Sequence, residues 1–85
     1  AGLIMLTRQI ASQFGVDGIR ANALAPGGVF NEHDDEFVDK YKEHTSLDRM
    51  NTPEEVADAL VFLCSPASRG MTGETLVVDA GWRSR

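Results

Sequence analysis

The sequence predicts an α/β fold in which two parallel strands are connected through helices. Residues 19–25 alternate in the period of an extended strand and run into Pro26-Gly27-Gly28. Residues 75–78 form a continuous apolar run, as in a strand covered on both faces, and are followed by Asp79-Ala80-Gly81. Helical patterns separate the two segments, which predicts a right-handed βαβ crossover. Because two parallel strands are too few for a stable sheet, we expect one edge of a larger α/β domain.

Composition and charge narrow the class of protein. The chain has 85 residues, of which 42% are hydrophobic and 25% charged, as in an ordinary small globular domain. Its net charge of −5 disfavours nucleic acid as a partner. A single cysteine allows no disulfide within the chain, which fits a reducing, cytoplasmic setting. No apolar run approaches the roughly 20 residues that span a membrane, and no signal peptide is visible.

Residues 1–14 have the pattern of an amphipathic helix. Apolar side chains recur at spacings of three and four, which places them on one stripe. They are Leu3, Leu6, Ile10 and Phe14. No capping side chain or initiator methionine precedes Ala1, so we expect a helix that begins upstream, in a fragment or a processed product. Gly15 fits the position that ends many helices, and Asp17-Gly18 fits a turn into the first strand.

Residues 31–50 form an acidic segment for which two interpretations stay open. Seven acidic side chains stand against three basic ones between residues 31 and 51. Phe37, Val38 and Tyr41 give a narrow apolar edge at helical spacing, which predicts a surface helix near residues 34–44. The segment is either a solvated helix or a mobile substrate lid, since lids are mostly polar segments with few stabilising contacts.

The helix predicted at residues 53–64 has a clear start. Thr52 is a suitable N-cap, Pro53 suits the first helical position, and Glu55 completes a capping box. Apolar side chains occur on two faces, so we expect burial on both sides, with Cys64 as a small core residue. Ser65-Pro66 ends the helix.

The Pro-Gly-Gly turn is the candidate binding element. Pro26 lacks a backbone donor, so the strand ladder should stop there. Gly27 and Gly28 permit a positive φ and place no Cβ between the main chain and a ligand. Ligands of open parallel sheets lie beyond the carboxyl ends of the strands, so the turn is a plausible floor for a flat ring. An ordinary strand-to-loop turn would have the same residues.

Other polar side chains receive structural interpretations. His33 lies among Glu32, Asp34 and Asp35, but adjacent residues do not share a helix face, so a metal site is disfavoured. Asp17, Arg20 and Asp79 are interpreted as structural, and Trp82 as a core or interface residue.

Several motifs, in order along nearly the whole chain, resemble the C-terminal third of a short-chain dehydrogenase/reductase, of the 3-oxoacyl-reductase or sugar-alcohol-dehydrogenase kind. They are Ala1-Gly2-Leu3, Ile19-Arg20-Ala21-Asn22-Ala23-Leu24-Ala25-Pro26-Gly27-Gly28-Val29, Thr52-Pro53-Glu54-Glu55-Val56-Ala57 and Met71-Thr72-Gly73-Glu74 with Val77-Val78-Asp79-Ala80-Gly81-Trp82. The resemblance implies that residues 1–85 are the C-terminal portion of a single Rossmann-type domain. That domain is a doubly wound parallel sheet, here entered in the order helix–strand–helix–helix–strand.

The resemblance also implies a cofactor, NAD or NADP, and a site for its nicotinamide. The family's Pro-Gly-x-[Val/Ile]-x-Thr segment holds the carboxamide, and the matching cofactor-binding residues here are Pro26, Gly27, Gly28, Val29 and Asn31. Asn31 stands where the family usually has Thr; its side chain can donate and accept hydrogen bonds.

The family's catalytic residues have no match in this sequence. The only tyrosine, Tyr41, is followed four places on by Thr45, so no Tyr-x-x-x-Lys pair is present. In the family that lysine directly precedes a segment resembling Ala1-Gly2-Leu3. No catalytic residue is therefore assigned within the chain, and residues 1–85 alone are predicted to be inactive.

Two classes of function follow from the resemblance. The first is an oxidoreductase that transfers hydride between the cofactor and a secondary alcohol or ketone, with Phe37, Tyr41 and Met50 as substrate-binding residues. The second is a non-catalytic relative that keeps the fold and the nucleotide site. The family also implies a homodimer or homotetramer formed through residues 75–78 and 53–64. An autonomous interaction module is disfavoured because its sheet edges would be unpaired.

Overall fold

The computed structural model describes residues 1–84, in which three helices and two strands follow one another in the predicted order. They are α1 (Gly2–Phe14), β1 (Ala23–Pro26), α2 (Asp35–Lys42), α3 (Pro53–Cys64) and β2 (Thr75–Val78). Short 3-10 turns lie at Gly15–Asp17, Pro66–Ser68 and Trp82–Ser84. The arrangement confirms the α/β fold class.

The two strands pair in parallel, with Ala23 opposite Thr75 and Pro26 opposite Val78. The first strand is shorter than the predicted 19–25, because the segment before Ala23 bonds to a loop instead of a strand. Asn22 accepts the Glu74 N–H through its side-chain oxygen at 3.1 Å. Pairing stops just beyond Pro26, where the Gly27 N–H donates to the Val78 carbonyl at 2.9 Å.

The end of α1 differs from the prediction. Gly15 has φ −58° and stays right-handed, so it does not take the left-handed position expected of it. The chain continues through one 3-10 turn, and Gly18 reverses it with φ 80°. A residue with a Cβ would be strained at Gly18, so this glycine ends the helical segment.

The start of α3 is as predicted. The Thr52 hydroxyl accepts the Glu55 N–H at 3.2 Å, and the Glu55 carboxylate accepts the Thr52 N–H at 2.9 Å. Two of the helix's unpaired donors are thereby satisfied.

The prediction that α3 is buried on both sides is wrong for residues 1–84. Leu63 is buried, but Leu60 and Val61 are 51% and 66% exposed. Cys64 is exposed as well, so it is not a core residue here. The sheet covers one face of the helix, and within residues 1–84 no element covers the other.

Arg20 links the end of α3 to the segment that enters β1. Its guanidinium donates to the carbonyls of Ser68 and Met71 at 2.8 and 3.0 Å. It also donates to Leu63 and Ser65 at 3.3 and 3.4 Å. Carbonyls at a helix end lack intrahelical donors, so one planar side chain satisfies several of them. The structural interpretation of Arg20 is confirmed.

Residues 1–84 do not enclose a complete core. The radius of gyration is 15.2 Å, whereas a compact domain of this length has about 12 Å. Leu3, Met5 and Leu6 on α1 are more than half exposed. Among residues 1–84, no helix combines the length and apolar character needed to cross a bilayer.

Candidate functional site

Both strands end at the same edge of the sheet, and the candidate site lies there. Because Pro26 is opposite Val78, the segments that follow both strands leave from that edge. A cavity of about 400 Å³ opens beside them. It extends along the sheet from Thr75, at the start of β2, to the turn residues Pro26 and Gly27, and Tyr41 and Trp82 also line it. Only its end at the carboxyl edge is the position at which open parallel sheets bind ligands.

Gly27 and Gly28 are required for packing, not for a special backbone conformation. Neither has a positive φ. A Cβ on Gly27 would lie 2.9 Å from the Asp79 Cα, and a Cβ on Gly28 would overlap the phenol ring of Tyr41. The absent side chains thus make room for the protein's own residues on one side of the loop.

Val29 is the residue of this loop whose main chain is left available. It forms a parallel bridge with Asn51, in which the Phe30 N–H donates to the Asn51 carbonyl at 2.9 Å. Within residues 1–84 the N–H and C=O of Val29 itself form no hydrogen bond. One donor and one acceptor therefore remain at the carboxyl edge of the sheet.

Asn51 is a residue that the sequence analysis missed. It is 2% exposed, and its side-chain amide donates to the Val78 carbonyl at 2.7 Å. Its side chain thus bonds the end of β2, while its main chain bonds the loop after β1. Its place directly before a helix N-cap gives no signal of this long-range role.

Asn31 and His33 continue the loop. Asn31 is exposed, and its N–H donates to the His33 Nδ1 at 3.3 Å. The His33 ring stacks on Phe37 with centroids 4.6 Å apart. Within residues 1–84, no group of three metal-ligating side chains comes together.

The segment 31–50 contains the predicted surface helix. α2 begins after Asp34, whose carboxylate caps the helix by accepting the Phe37 N–H at 2.8 Å. Beyond the helix the segment bonds to the residues that follow β2: the Leu47 N–H donates to the Ala80 carbonyl at 3.0 Å. The Ser46 hydroxyl donates to the Gly81 carbonyl at 3.2 Å. The segment is thus bonded to the sheet edge at its C-terminal end, and its mobility stays a prediction.

The three predicted substrate-binding residues have different environments. Phe37 is 46% exposed, whereas Met50 is 6% exposed and belongs to the core. Tyr41 is half-buried, and its hydroxyl accepts the N–H of Gly28. Only Phe37 therefore presents a largely free surface in this arrangement.

An aromatic row joins α2 to the segment after β2. Neighbouring ring centroids along the row lie between 4.6 and 6.3 Å apart. The rings are those of Phe30, His33, Phe37, Tyr41, Trp82 and His44. Trp82 is therefore a packing partner of α2 within the chain.

One ion pair fixes the end of the 31–50 segment to α3. The Arg49 guanidinium donates to both Glu55 carboxylate oxygens, at 2.5 and 2.7 Å. These bonds, with the bond from the Thr52 N–H, lower the pKa of Glu55 to about 2. The Glu55 carboxylate in turn raises the pKa of Arg49.

Known proteins of one family resemble this chain over nearly its whole length. A family model described as Enoyl-(Acyl carrier protein) reductase matches residues 1–83. A tropinone reductase homolog of Arabidopsis thaliana is 40% identical over 84 residues, which cover 93% of this chain and 32% of the relative. The 3-oxoacyl-(acyl-carrier-protein) reductase FabG of Aquifex aeolicus is 40% identical over 85 residues, which cover 95% of this chain and 34% of the relative.

A solved structure agrees in backbone as well. The short-chain dehydrogenase of Leptospira borgpetersenii with bound NAD⁺ is 34% identical and superposes with a TM-score of 0.87, over 95% of this chain and 32% of that one. The chain spans about a third of the length of the curated relatives it matches. The family model, the relatives and the shared fold together place this chain in the short-chain dehydrogenase/reductase family.

Proposed function

We propose that this chain belongs to an NAD(P)-dependent oxidoreductase that transfers hydride between a nicotinamide and a secondary alcohol or ketone. Residues 26–31 would form the nicotinamide end of the cofactor site. The observation that carries the proposal is the Val29 main chain, whose N–H and C=O are unused within residues 1–84 at the carboxyl edge of the sheet.

The residues of the loop fit a nicotinamide carboxamide. A carboxamide presents one acceptor oxygen and two donor hydrogens, which Val29 would complement with its N–H and C=O. The exposed Asn31 side chain would add a polar contact, while Pro26, Gly27 and Gly28 would form the part of the loop that leads from the strand to Val29. Directional bonds of this kind fix which ring face meets the substrate, and hydride transfer depends on that orientation. The bound cofactor supplies the hydride chemistry.

The substrate would meet the 31–50 segment, which we propose as a lid with the exposed Phe37 as its substrate-binding residue. The substrate-binding roles of Tyr41 and Met50 stay predictions of the sequence, since the Tyr41 hydroxyl bonds Gly28 and Met50 is 6% exposed. The acidic composition of the lid disfavours a strongly anionic substrate. The relatives' names support a carbonyl or alcohol substrate: one is a 3-oxoacyl reductase and another a tropinone reductase homolog. We assign no proton-transfer residue within this chain.

We further propose a cytoplasmic homodimer or homotetramer that associates through α3 and β2. The exposed Leu60 and Val61 on α3 support this, since apolar helix faces need cover. β2 pairs only with β1 among residues 1–84, and an open strand edge also favours association.

The test is calorimetric titration of the complete protein with NADH and NADPH. Asn31→Ala, a change at an exposed side chain, should weaken cofactor binding by about 0.5–1.5 kcal/mol, the net value of one hydrogen bond. Gly27→Val should weaken it by about 1–3 kcal/mol, because its side chain would displace the loop. His33→Ala removes the acceptor of the Asn31 N–H but no proposed cofactor contact, so it should have the smallest effect.

Either of two results would overturn the proposal. One is a parent protein that binds neither dinucleotide. The other is Asn31→Ala and Gly27→Val proteins that both bind as tightly as the parent.

A further inference from the structure

The phenol of Tyr41 holds the main chain of the 26–31 loop. Its hydroxyl accepts the Gly28 N–H, and its ring fills the space that a Cβ on Gly28 would occupy. The contact joins α2 to the loop, across 13 positions in the chain. A side chain that only formed the apolar edge of a surface helix would not need to approach the main chain of the loop so closely.

The loop is held again on the far side of Val29. The Phe30 N–H donates to the Asn51 carbonyl at 2.9 Å, and the Asn51 side chain bonds the end of β2. The Gly28–Val29 peptide therefore lies between two fixed peptide groups, with the Gly28 N–H held by Tyr41 and the Phe30 N–H by Asn51. Rotation of the intervening peptide is restricted from both ends.

The segment after β2 supports the Tyr41 ring from behind. The Trp82 ring lies against it with centroids 4.8 Å apart. Asp79 fixes this segment, since its carboxylate accepts the N–H groups of Gly81 and Arg83 at 2.9 and 3.2 Å. Tyr41 is thus placed by packing on one side and by a hydrogen bond on the other.

We propose that Tyr41 is a positioning residue of the nicotinamide site and not a substrate contact. The inference rests on the proposed function, because the group that Tyr41 positions is the Val29 N–H offered to the carboxamide. Its hydroxyl fixes the Gly27–Gly28 peptide and so restricts the adjoining peptide, which carries the Val29 N–H. The docking of α2 on the loop therefore sets the affinity for the cofactor. The segment that would cover the substrate and the loop that would bind the nicotinamide are coupled through this one hydroxyl.

The coupling between Tyr41 and the loop predicts which ligands a change at Tyr41 should weaken. Removal of the hydroxyl leaves the Gly28 N–H without its acceptor, and the peptide is then free to turn toward another one. The carboxamide bonds depend on that direction, whereas bonds to the adenosine and the phosphates do not. A change at Tyr41 should therefore weaken ligands that contain nicotinamide and spare those that lack it.

The experiment compares NADH with ADP-ribose, which lacks the nicotinamide, on the complete protein without substrate. NADPH and the matching 2′-phosphorylated ADP-ribose replace them if the parent prefers NADP. Tyr41→Phe keeps the ring and removes only the hydroxyl. It should raise the dissociation constant of NADH about 3- to 10-fold and leave that of ADP-ribose within about twofold. Lys40→Gln, at an exposed residue of α2 that pairs with Glu36, is the matched control and should change neither value.

The outcomes distinguish failure of the role proposed for Tyr41 from failure of the proposed function. Equal NADH affinity in the parent and Tyr41→Phe overturns the inference, as does an equal loss for NADH and ADP-ribose, which indicates general structural damage. A raised KM for substrate at saturating cofactor, with unchanged NADH affinity, makes Tyr41 a substrate contact instead. A parent that binds no dinucleotide overturns the proposed function itself.

Discussion

Arg49 and Glu55 form a two-bond ion pair, with the guanidinium nitrogens 2.5 and 2.7 Å from the two carboxylate oxygens. One of those oxygens also accepts the Thr52 N–H at 2.9 Å and so caps α3. A single carboxylate therefore starts a helix and fastens the end of the acidic segment to it. Its protonation should loosen both connections together.

The first prediction concerns acid stability. The pKa of Glu55 falls from 4.5 to about 2, so its carboxylate stabilises the fold above pH 4.5, and this contribution is lost as the pH falls toward 2. Glu55→Gln should therefore lower the Tm of the complete protein near neutral pH and make little difference near pH 2. Glu54→Gln, which removes no ion pair found within residues 1–84, is the control. Parallel Tm–pH curves for the parent and Glu55→Gln would contradict this.

The second prediction concerns Arg20. Arg20→Ala removes the charged donor that the carbonyls of Leu63, Ser65, Ser68 and Met71 share, so it should lower the free energy of unfolding by about 2–3 kcal/mol. Arg20→Lys should recover only part of the loss, because an ammonium cannot match the planar fork. Urea denaturation gives the values. Arg69→Ala, which removes a single bond to the Pro66 carbonyl, is the comparison. An equal effect at Arg69 would refute the prediction.

The third prediction separates the two glycines of the loop. Gly28→Ala and Gly27→Ala should each cost about 1–3 kcal/mol of unfolding free energy through overpacking. Tyr41→Ala should offset the cost at Gly28, since it removes the ring that the new Cβ meets. It should not offset the cost at Gly27, where the Asp79 main chain is the obstacle. A double-mutant cycle measures the two couplings, and equal couplings would count against the packing described.

The fourth prediction concerns association. Val61→Arg places a charge on the exposed apolar face of α3 and should shift the complete protein to smaller species. Sedimentation velocity checks it, with Gln13→Arg on α1 as the control. An unchanged sedimentation coefficient for Val61→Arg would exclude this face from the interface.

The fifth prediction concerns residues 1–85 expressed alone. Its open strand edges and the exposed apolar side chains of α1 favour aggregation over a stable monomer, and it should be inactive as a dehydrogenase. Size-exclusion chromatography and thermal melting test this. A monomer with a sharp melting transition and dehydrogenase activity would disprove it.

The sequence predicted those features that depend on neighbouring residues. The capping box involves Thr52 and Glu55, which are only three positions apart, and the structure has both of its hydrogen bonds. The positions of the two strands also followed from local patterns, because a run that ends in turn residues marks a strand at each site.

Features that depend on distant partners were missed. The contact of Tyr41 with Gly28 is one of them, because nothing in the sequence of α2 reveals that Gly28 lies beneath its ring. Asn51 is a buried polar residue, at 2% exposure, whose side chain bonds the Val78 carbonyl 27 positions away. Periodicity also overstated the burial of α3, since it shows which face is apolar and not what covers that face.

The side chain of Asn22 meets the main chain of Glu74, and the two residues are 52 positions apart. Pairing of β1 with β2 must therefore wait until the intervening segment has been synthesised and its loop closed. Contacts of such long range form slowly, because the chain entropy is lost before the contacts are gained. During synthesis β1 would leave the ribosome long before its partner. Throughout that interval its unpaired backbone N–H and C=O groups would be open to chaperones and to other nascent chains.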